Sequence, residues 1–342
     1  MTLHPKGCGT IHYATTYIQN SMLNLKKIYS PFKEYKDTGF GASDRQQGTR
    51  FMDKNGRFKV IRSGLPWWDR WNVYAWMLEL SWLKFYAVIL SAFIAINLIF
   101  TGLYFIVGID HLIGLMAEDN FERFFEVFFF SVQTFSTVGY GRVNPLNMPA
   151  GMLASTEVFI GLLTVAIATG LVFAKFSRPI ANLLFSKNIL LTTTKDGRKA
   201  LLFRFVNKAE NQITDVGVQV LVAMDLSENG ESEWKFYNLP LERDKINFLA
   251  LSWTVVHYID ENSPLFNLSQ EDIKEAGTEI LILITLFDDT FAQTVHVRHS
   301  YKYDEWKWNA TFRPMFKPSA KYKDFTELAL DKINDIESQS EK

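Results

Sequence analysis

The sequence holds one cysteine, Cys8, among 342 residues. An intrachain disulfide is excluded, so no oxidising compartment is implied. Met1–Lys27 contains no apolar run of the roughly 7–15 residues that a secretory leader needs, so any membrane insertion is expected to use internal segments. There is no CxxC, HExxH, GxGxxG, phosphate-binding glycine loop or nucleophile elbow. These absences leave an enzyme with no catalytic constellation and a Rossmann-type regulatory domain with no fingerprint. The net charge of -1 gives no basic surplus for nucleic acid.

What the chain does have is unevenly spread apolar and aromatic character, 48% and 15% overall, with 29 Phe. Phe85–Val107 is 23 residues without a charge. At about 1.5 Å per residue such a helix crosses a hydrocarbon core of about 30 Å. Ala150–Ala174 is a second run of 25 residues, broken only by Glu157. Six Lys/Arg lie in Lys54–Lys84 and seven in Lys175–Arg204, against two in Gly108–Pro149. By the positive-inside rule both termini are expected in the cytoplasm and the middle loop outside. The expected location is the cell membrane, as a multi-pass protein.

The organisation reads as follows. Residues 1–36 are polar and expected to be mobile. Residues 37–64 form a basic strand region with a turn signal at Asn55-Gly56. Residues 65–80, crowded with Trp67, Trp68, Trp71, Tyr74 and Trp76, read as an interfacial helix. Residues 81–178 form a membrane domain, with spans at about 83–107 and 150–176. Residues 188–315 carry short β-branched and aromatic runs, among them Leu201–Val206, Val216–Met224, Ile280–Phe287 and Thr294–Tyr301, separated by turn clusters. That spacing predicts a β-sandwich or barrel. Residues 316–342 are a charged tail in which Phe325–Ile336 is a candidate helix.

Between the spans, about 121–134 (FERFFEVFFFSVQT) is helix-length yet too short to cross a bilayer. A helix that stops at membrane depth must bury its last carbonyls in protein or turn them to water. Its carbonyl end is also its negative end, suited to a cation. Thr137-Val138-Gly139-Tyr140-Gly141 follows at once. Rings of carbonyls from four such loops replace the water shell of K+. Gly139 and Gly141 permit torsions that aim successive carbonyls one way. The Thr137 hydroxyl adds an oxygen, and Tyr140 is expected to pack against the aromatic helix. One loop makes no ring, so a homotetramer is implied. No Arg-rich helix precedes the pore, which argues against a voltage sensor. K+ is the conducted ion; no cofactor is expected.

These residues resemble an inward-rectifier potassium channel, most closely the prokaryotic KirBac group. The resemblance rests on RFMDKNGRFKV, PWWD, FFFSVQTFSTVGYG, GLVFAKFSRP, His257–Leu265 (HYIDENSPL) and Thr294–Tyr301, and covers roughly Thr38–Met315. It implies an α+β membrane protein. Two transmembrane helices flank a re-entrant pore helix and selectivity filter, followed by a C-terminal immunoglobulin-like β-sandwich cytoplasmic domain. It also implies passive, gated K+ conduction, with homotetramerisation and membrane lipids, anionic ones as candidates, for partners.

The resemblance places Val165 at the cavity position that is acidic in strong rectifiers, so weak rectification is expected. It places Phe173 at the bundle crossing, the alternative being plain helix packing. Gln133 stands where animal members carry Glu, and Val143 where they carry Arg, so their ion pair is missing as such. Lys175, Arg178 and Lys187 stand as a thin set of lipid-headgroup candidates. Asp69 is a candidate coupling residue between surface helix and cytoplasmic domain, or a solvated charge. Glu157 is expected either behind the filter, bonded to the pore helix, or at the outer end reaching water. Gly161 and Gly170 serve either bending or close packing. His296 and His299 sit three apart in an expected strand, so they face opposite ways and do not chelate. The rival from another class is a membrane-anchored sensor whose β-domain binds a ligand and whose pore does not conduct.

Overall fold

The computed structural model describes residues 34–35, 50–54, 56–61, 63–64, 66, 72–179, 182–226, 234–319 and 323–339. They belong to two compact units, Arg62–Arg178 and Met1–Ile61 with Pro179–Lys342.

The first unit is helical. Its elements are α1 (Val73–Glu79), α2 (Trp82–Val107), α3 (Asn120–Phe135) and α4 (Met148–Phe176). The starts of α1, α3 and α4 are set by side-chain caps that relieve orphan N–H groups. Asn72 accepts from Ala75 N, Asp119 from Phe121 N, and Asn147 from Ala150 N. Gly108, at φ 109°, ends α2, a torsion that costs glycine little. Of the surface helix expected over 65–80, the described residues hold Val73–Glu79, with Asn72 as its cap. Asp69 and the tryptophans at 67, 68 and 71 lie outside the described residues.

This unit is inverted relative to a water-soluble one. The most apolar stretches of α2 and α4 are only 22% and 11% buried by the chain itself. Asn97, Thr101, Ser131 and Glu157 are fully buried. Helices that turn apolar groups outward and polar groups inward suit a hydrocarbon solvent. The chain is a membrane protein.

The second unit is a β-sandwich. One sheet runs in the order Glu34–Tyr35, Trp234–Asn238, Ile213–Asp225, Glu279–Asp288, Gln293–Lys302, with Lys245–Phe248 also on Ile213–Asp225. The other runs Ser252–Tyr258, Lys199–Asn207, Ile189–Thr193, Trp306–Trp308, with Leu183–Phe185 on Lys199–Asn207. Val216, Val218, Val220 and Val222 alternate inward from the first sheet. They meet Leu201, Phe203, Phe205 and Val255 of the second. That period of two is what a one-sided core demands.

Two expectations need correction. Residues 34–35, expected to be mobile, pair with Tyr237 and Phe236 at a sheet edge, whose free N–H and C=O groups template an added strand. Phe325–Ile336 is not an α-helix. It forms the strand Thr326–Leu328 and a 3-10 turn at Leu330–Asn334, and Ile336 opens the strand Ile336–Ser338. The carbonyls of Lys332 and Ile333 are taken by the Arg204 guanidinium at 2.5 and 2.7 Å, and Ile336–Ser338 pairs with Ala310–Phe312. Those partners replace the helical ones.

Candidate functional site

The site is built on the end of α3. Its closing turn is capped by Ser136, and the chain then folds back so that Val138 N and Gly139 N both donate to the Gln133 carbonyl, at 2.9 and 3.3 Å. Gln133 therefore meets the 137–141 loop through its main chain. Beyond it Thr137, Gly139 and Gly141 have φ of 61°, 53° and 82°, while Val138 and Tyr140 stay on the ordinary side. Left-handed torsions at every second residue undo the alternation of an extended strand, so successive carbonyls share a side. Glycine adopts this freely, but Thr137 is β-branched, and its torsion costs of order 1–3 kcal/mol. The sequence pointed to the torsions of both glycines and to the Thr137 hydroxyl, but not to the Thr137 torsion, because that strain exists only in the folded loop.

Tyr140 does not pack on its own α3. It stands 79% exposed beside a hollow of about 530 Å³ lined by Phe121, Phe125, Phe129 and Gln133.

Among α2, α3 and α4 lies a closed polar network. The Tyr104 hydroxyl of α2 donates to Glu157 Oε2 at 2.7 Å, and the Ser131 hydroxyl of α3 donates to Glu157 Oε1. Ser131 also lies 3.1 Å from Asn97 Oδ1. Glu157 is fully buried and bonded to α3 through Ser131 rather than reaching water. Glycine 161 is the packing counterpart. A Cβ there would sit 2.1 Å from the Phe135 carbonyl oxygen, whereas at Gly170 nothing lies within 4 Å. Close packing explains the first glycine and not the second.

Toward the far end of α4, Val165 and Phe173 are exposed on the single chain, at 57% and 71%. Lys175 is differently engaged. Its ammonium donates to the Leu78 and Leu80 carbonyls at 3.0 and 2.6 Å, and lies about 5 Å from the Trp82 and Phe85 rings. It thus caps the carbonyl end of α1, two residues past Phe173 in sequence. Arg178 is exposed, and Lys187, in the other unit, offers its main-chain N–H to Asn334 at 2.7 Å.

In the β unit, charged groups tie distant segments. Glu279 is buried and accepts from Phe51 N at 2.7 Å and Met52 N at 3.4 Å, with Arg50 Nε 3.9 Å away. Burial pushes its carboxyl up, against those hydrogen bonds. Arg50 also reaches Ser300 and Glu305. The histidines pack. His257 bridges the Pro240 carbonyl and the Ser263 hydroxyl, at 2.6 and 2.7 Å. His299 stacks on Phe185 at 4.2 Å, and burial holds its pKa down to about 4. His296 is exposed on the opposite face of the strand.

Residues 183–340 match the inward rectifier potassium channel C-terminal domain, and residues 91–178 match the ion channel family. The chain is 33% identical over 271 residues to inward rectifier potassium channel Kirbac3.1 of Paramagnetospirillum magnetotacticum, covering 78% of this chain and 89% of that protein. It is 25% identical over 307 residues to inward rectifier potassium channel 18 of Homo sapiens, covering 82% and 69%. With inward rectifier potassium channel irk-1 of Caenorhabditis elegans it shares 25% over 290 residues, covering 78% and 53%.

Proposed function

Because this chain belongs to the inward rectifier potassium channel family, a family of ion channels and not of enzymes, we propose that four copies enclose one pore that conducts K+ passively across the cell membrane. Both termini lie in the cytoplasm. Thr137–Gly141 of each copy supply the carbonyl rings, and K+ sheds water there and moves down its gradient. The membrane potential contributes roughly 2.3 kcal/mol per charge per 100 mV. The observation that carries this reading is the left-handed torsion at Thr137, Gly139 and Gly141 at the carbonyl end of a short helix between two spans. Fourfold assembly also gives the exposed Tyr140 and the outward face of α4 something to pack against.

Gating occurs where the four α4 helices converge at Phe173, whose rings close the pore by dewetting. Lys175 couples α1 to that gate, since the ammonium holding the α1 carbonyls sits beside the closing residue on α4. Because two of its three N–H donors are used in this way, Lys175 is a weaker candidate for a lipid headgroup than Arg178 or Lys187. Asp69 remains the proposed link to the cytoplasmic domain. Val165 lines the cavity and offers no charge to intracellular Mg²⁺ or polyamines, so rectification is weak.

The test is ⁸⁶Rb+ uptake into K+-loaded liposomes holding the purified full chain, with and without anionic lipid and Ba²⁺. Uptake blocked by Ba²⁺ and by Thr137→Val is the expected result. No Ba²⁺-sensitive uptake under any lipid condition would leave the non-conducting sensor in its place. Val165→Asp should deepen block by internal Mg²⁺, and an unchanged current–voltage curve would remove Val165 from the cavity.

A further inference from the structure

The segment just beyond the filter is held in a way the motif does not announce. Arg142, the first residue after Gly141, pairs through Nη2 with Glu126 Oε1, a carboxylate on α3 two turns before Gln133. The other oxygen of Glu126 accepts from Met116 N and Ala117 N, both at 3.0 Å. The Ala117 carbonyl in turn accepts from Arg123 Nε and Nη2 at 3.2 and 3.1 Å. The backbone of the same loop touches the filter exit a second time. A Cβ on Gly114 would lie 1.9 Å from the Arg142 carbonyl oxygen, so only glycine fits. Next to it Leu112–Ile113 pairs with Asn144–Pro145, and the Asn144 amide donates to the Gly141 carbonyl at 2.6 Å.

We propose that Glu126 is a positioning residue for K+ selection: its carboxylate binds α3, the loop at 116–117 and Arg142 into one collar that holds the width of the outer filter rings. This rests on the reading of Thr137–Gly141 as the filter. A filter loop has few contacts of its own, since its carbonyls must stay free for the ion. Its shape is therefore imposed from its two ends. The Gln133 carbonyl holds the inner end. At the outer end a charge-assisted pair supplies direction that backbone contacts alone do not. Glu126 is 15% exposed and Arg142 54%, so the pair is partly screened and its effect is moderate.

The experiment compares Glu126→Gln, Arg142→Met, Arg142→Lys and the double variant Glu126→Gln/Arg142→Met, in the full chain reconstituted in liposomes. Wild-type uptake of ⁸⁶Rb+ that Ba²⁺ blocks is measured first, and tests the filter reading separately. Glutamine keeps an oxygen for Met116 and Ala117 and removes only the charge. The readouts are competition of Na+ with ⁸⁶Rb+ and the half-blocking Ba²⁺ concentration, neither of which depends on how much protein folds. Each single charge-removing variant should lose about fivefold in discrimination against Na+, with the double no worse than either, because both cut the same bond. Arg142→Lys should keep most of it. Unchanged discrimination in both singles, or losses that multiply in the double, would overturn the proposal. Should Arg142→Met fail to assemble, Glu126→Gln against Arg142→Lys decides by the same two readouts.

Discussion

The helical unit and the β unit solve opposite problems with the same materials. In Arg62–Arg178 the apolar side chains of α2 and α4 point outward and the polar ones, Glu157, Ser131 and Asn97, are sealed inside. In the β unit the valines of Ile213–Asp225 point inward, and the outer face of Gln293–Lys302 shows Thr294, His296 and Arg298. Yet both units bury charge, and both do so only where every polar atom is answered. Glu157 takes two hydroxyl donors, and Glu279 takes two main-chain N–H groups and an arginine. The solvent decides which face is apolar; it does not relax the requirement that a buried carboxylate be satisfied.

Four measurements press on that contrast. The largest effect is expected for Glu279→Ala, which removes the buried acceptor of two main-chain N–H groups and one of the two carboxylates facing Arg50. Breaking such a buried set costs about 3–5 kcal/mol. Denaturant unfolding followed by tryptophan fluorescence should show it, and a loss below about 1 kcal/mol would mean the N-terminal segment is not held there.

Second, Leu90→Arg places a charge on the outward face of α2, where Leu90 is 59% exposed. It should cost about 2.5–3.5 kcal/mol of membrane insertion. Thr294→Arg, at an exposed position of the β unit, should change stability by no more than about 0.5 kcal/mol. Equal tolerance at both positions would erase the distinction between the two solvents.

Third, His299 makes the β unit acid-sensitive. Its pKa falls from 6.5 to about 4 on folding, mainly through burial. Above about pH 6.5 the ring is neutral folded or unfolded, and contributes no pH dependence. Below that the unfolded chain takes up a proton that the folded chain refuses, so stability declines down to about pH 4. The full loss is roughly 3 kcal/mol. His299→Phe should preserve the stack on Phe185 and flatten the slope; a slope unchanged by that variant would assign the acid sensitivity to other groups.

The smallest effects separate two glycines of α4. Gly161→Ala drives a methyl into the Phe135 carbonyl and should cost about 2 kcal/mol in detergent melting. Gly170→Ala meets nothing and should gain about 0.5–1 kcal/mol. A loss at position 170 would point to an interface between copies.

Much of this was legible beforehand, and the reason is local. The runs that became α2 and α4 declared themselves by length and lack of charge. The inward valines declared their strand by alternation. The tail misled because Phe325–Ile336 has helical composition, while Arg204, more than a hundred residues away, claims its carbonyls. Departures at Gln133 and Val143 suggested a filter without an ion pair. The pair Glu126–Arg142 was invisible because nothing in either residue's neighbourhood says they meet.

By itself, then, the sequence determined the solvent of each segment and the left-handed freedom of Gly139 and Gly141, since hydropathy and backbone freedom belong to individual residues. The tertiary structure alone decided which polar groups answer one another: Glu157 with Tyr104, Lys175 with Leu80, Glu279 with Phe51, at separations of 53, 95 and 228 residues. A charge written in the chain states only that a partner is required. Which partner arrives depends on backbone paths that bring remote residues within about 3 Å, and hydrogen bonding acts over no longer range than that.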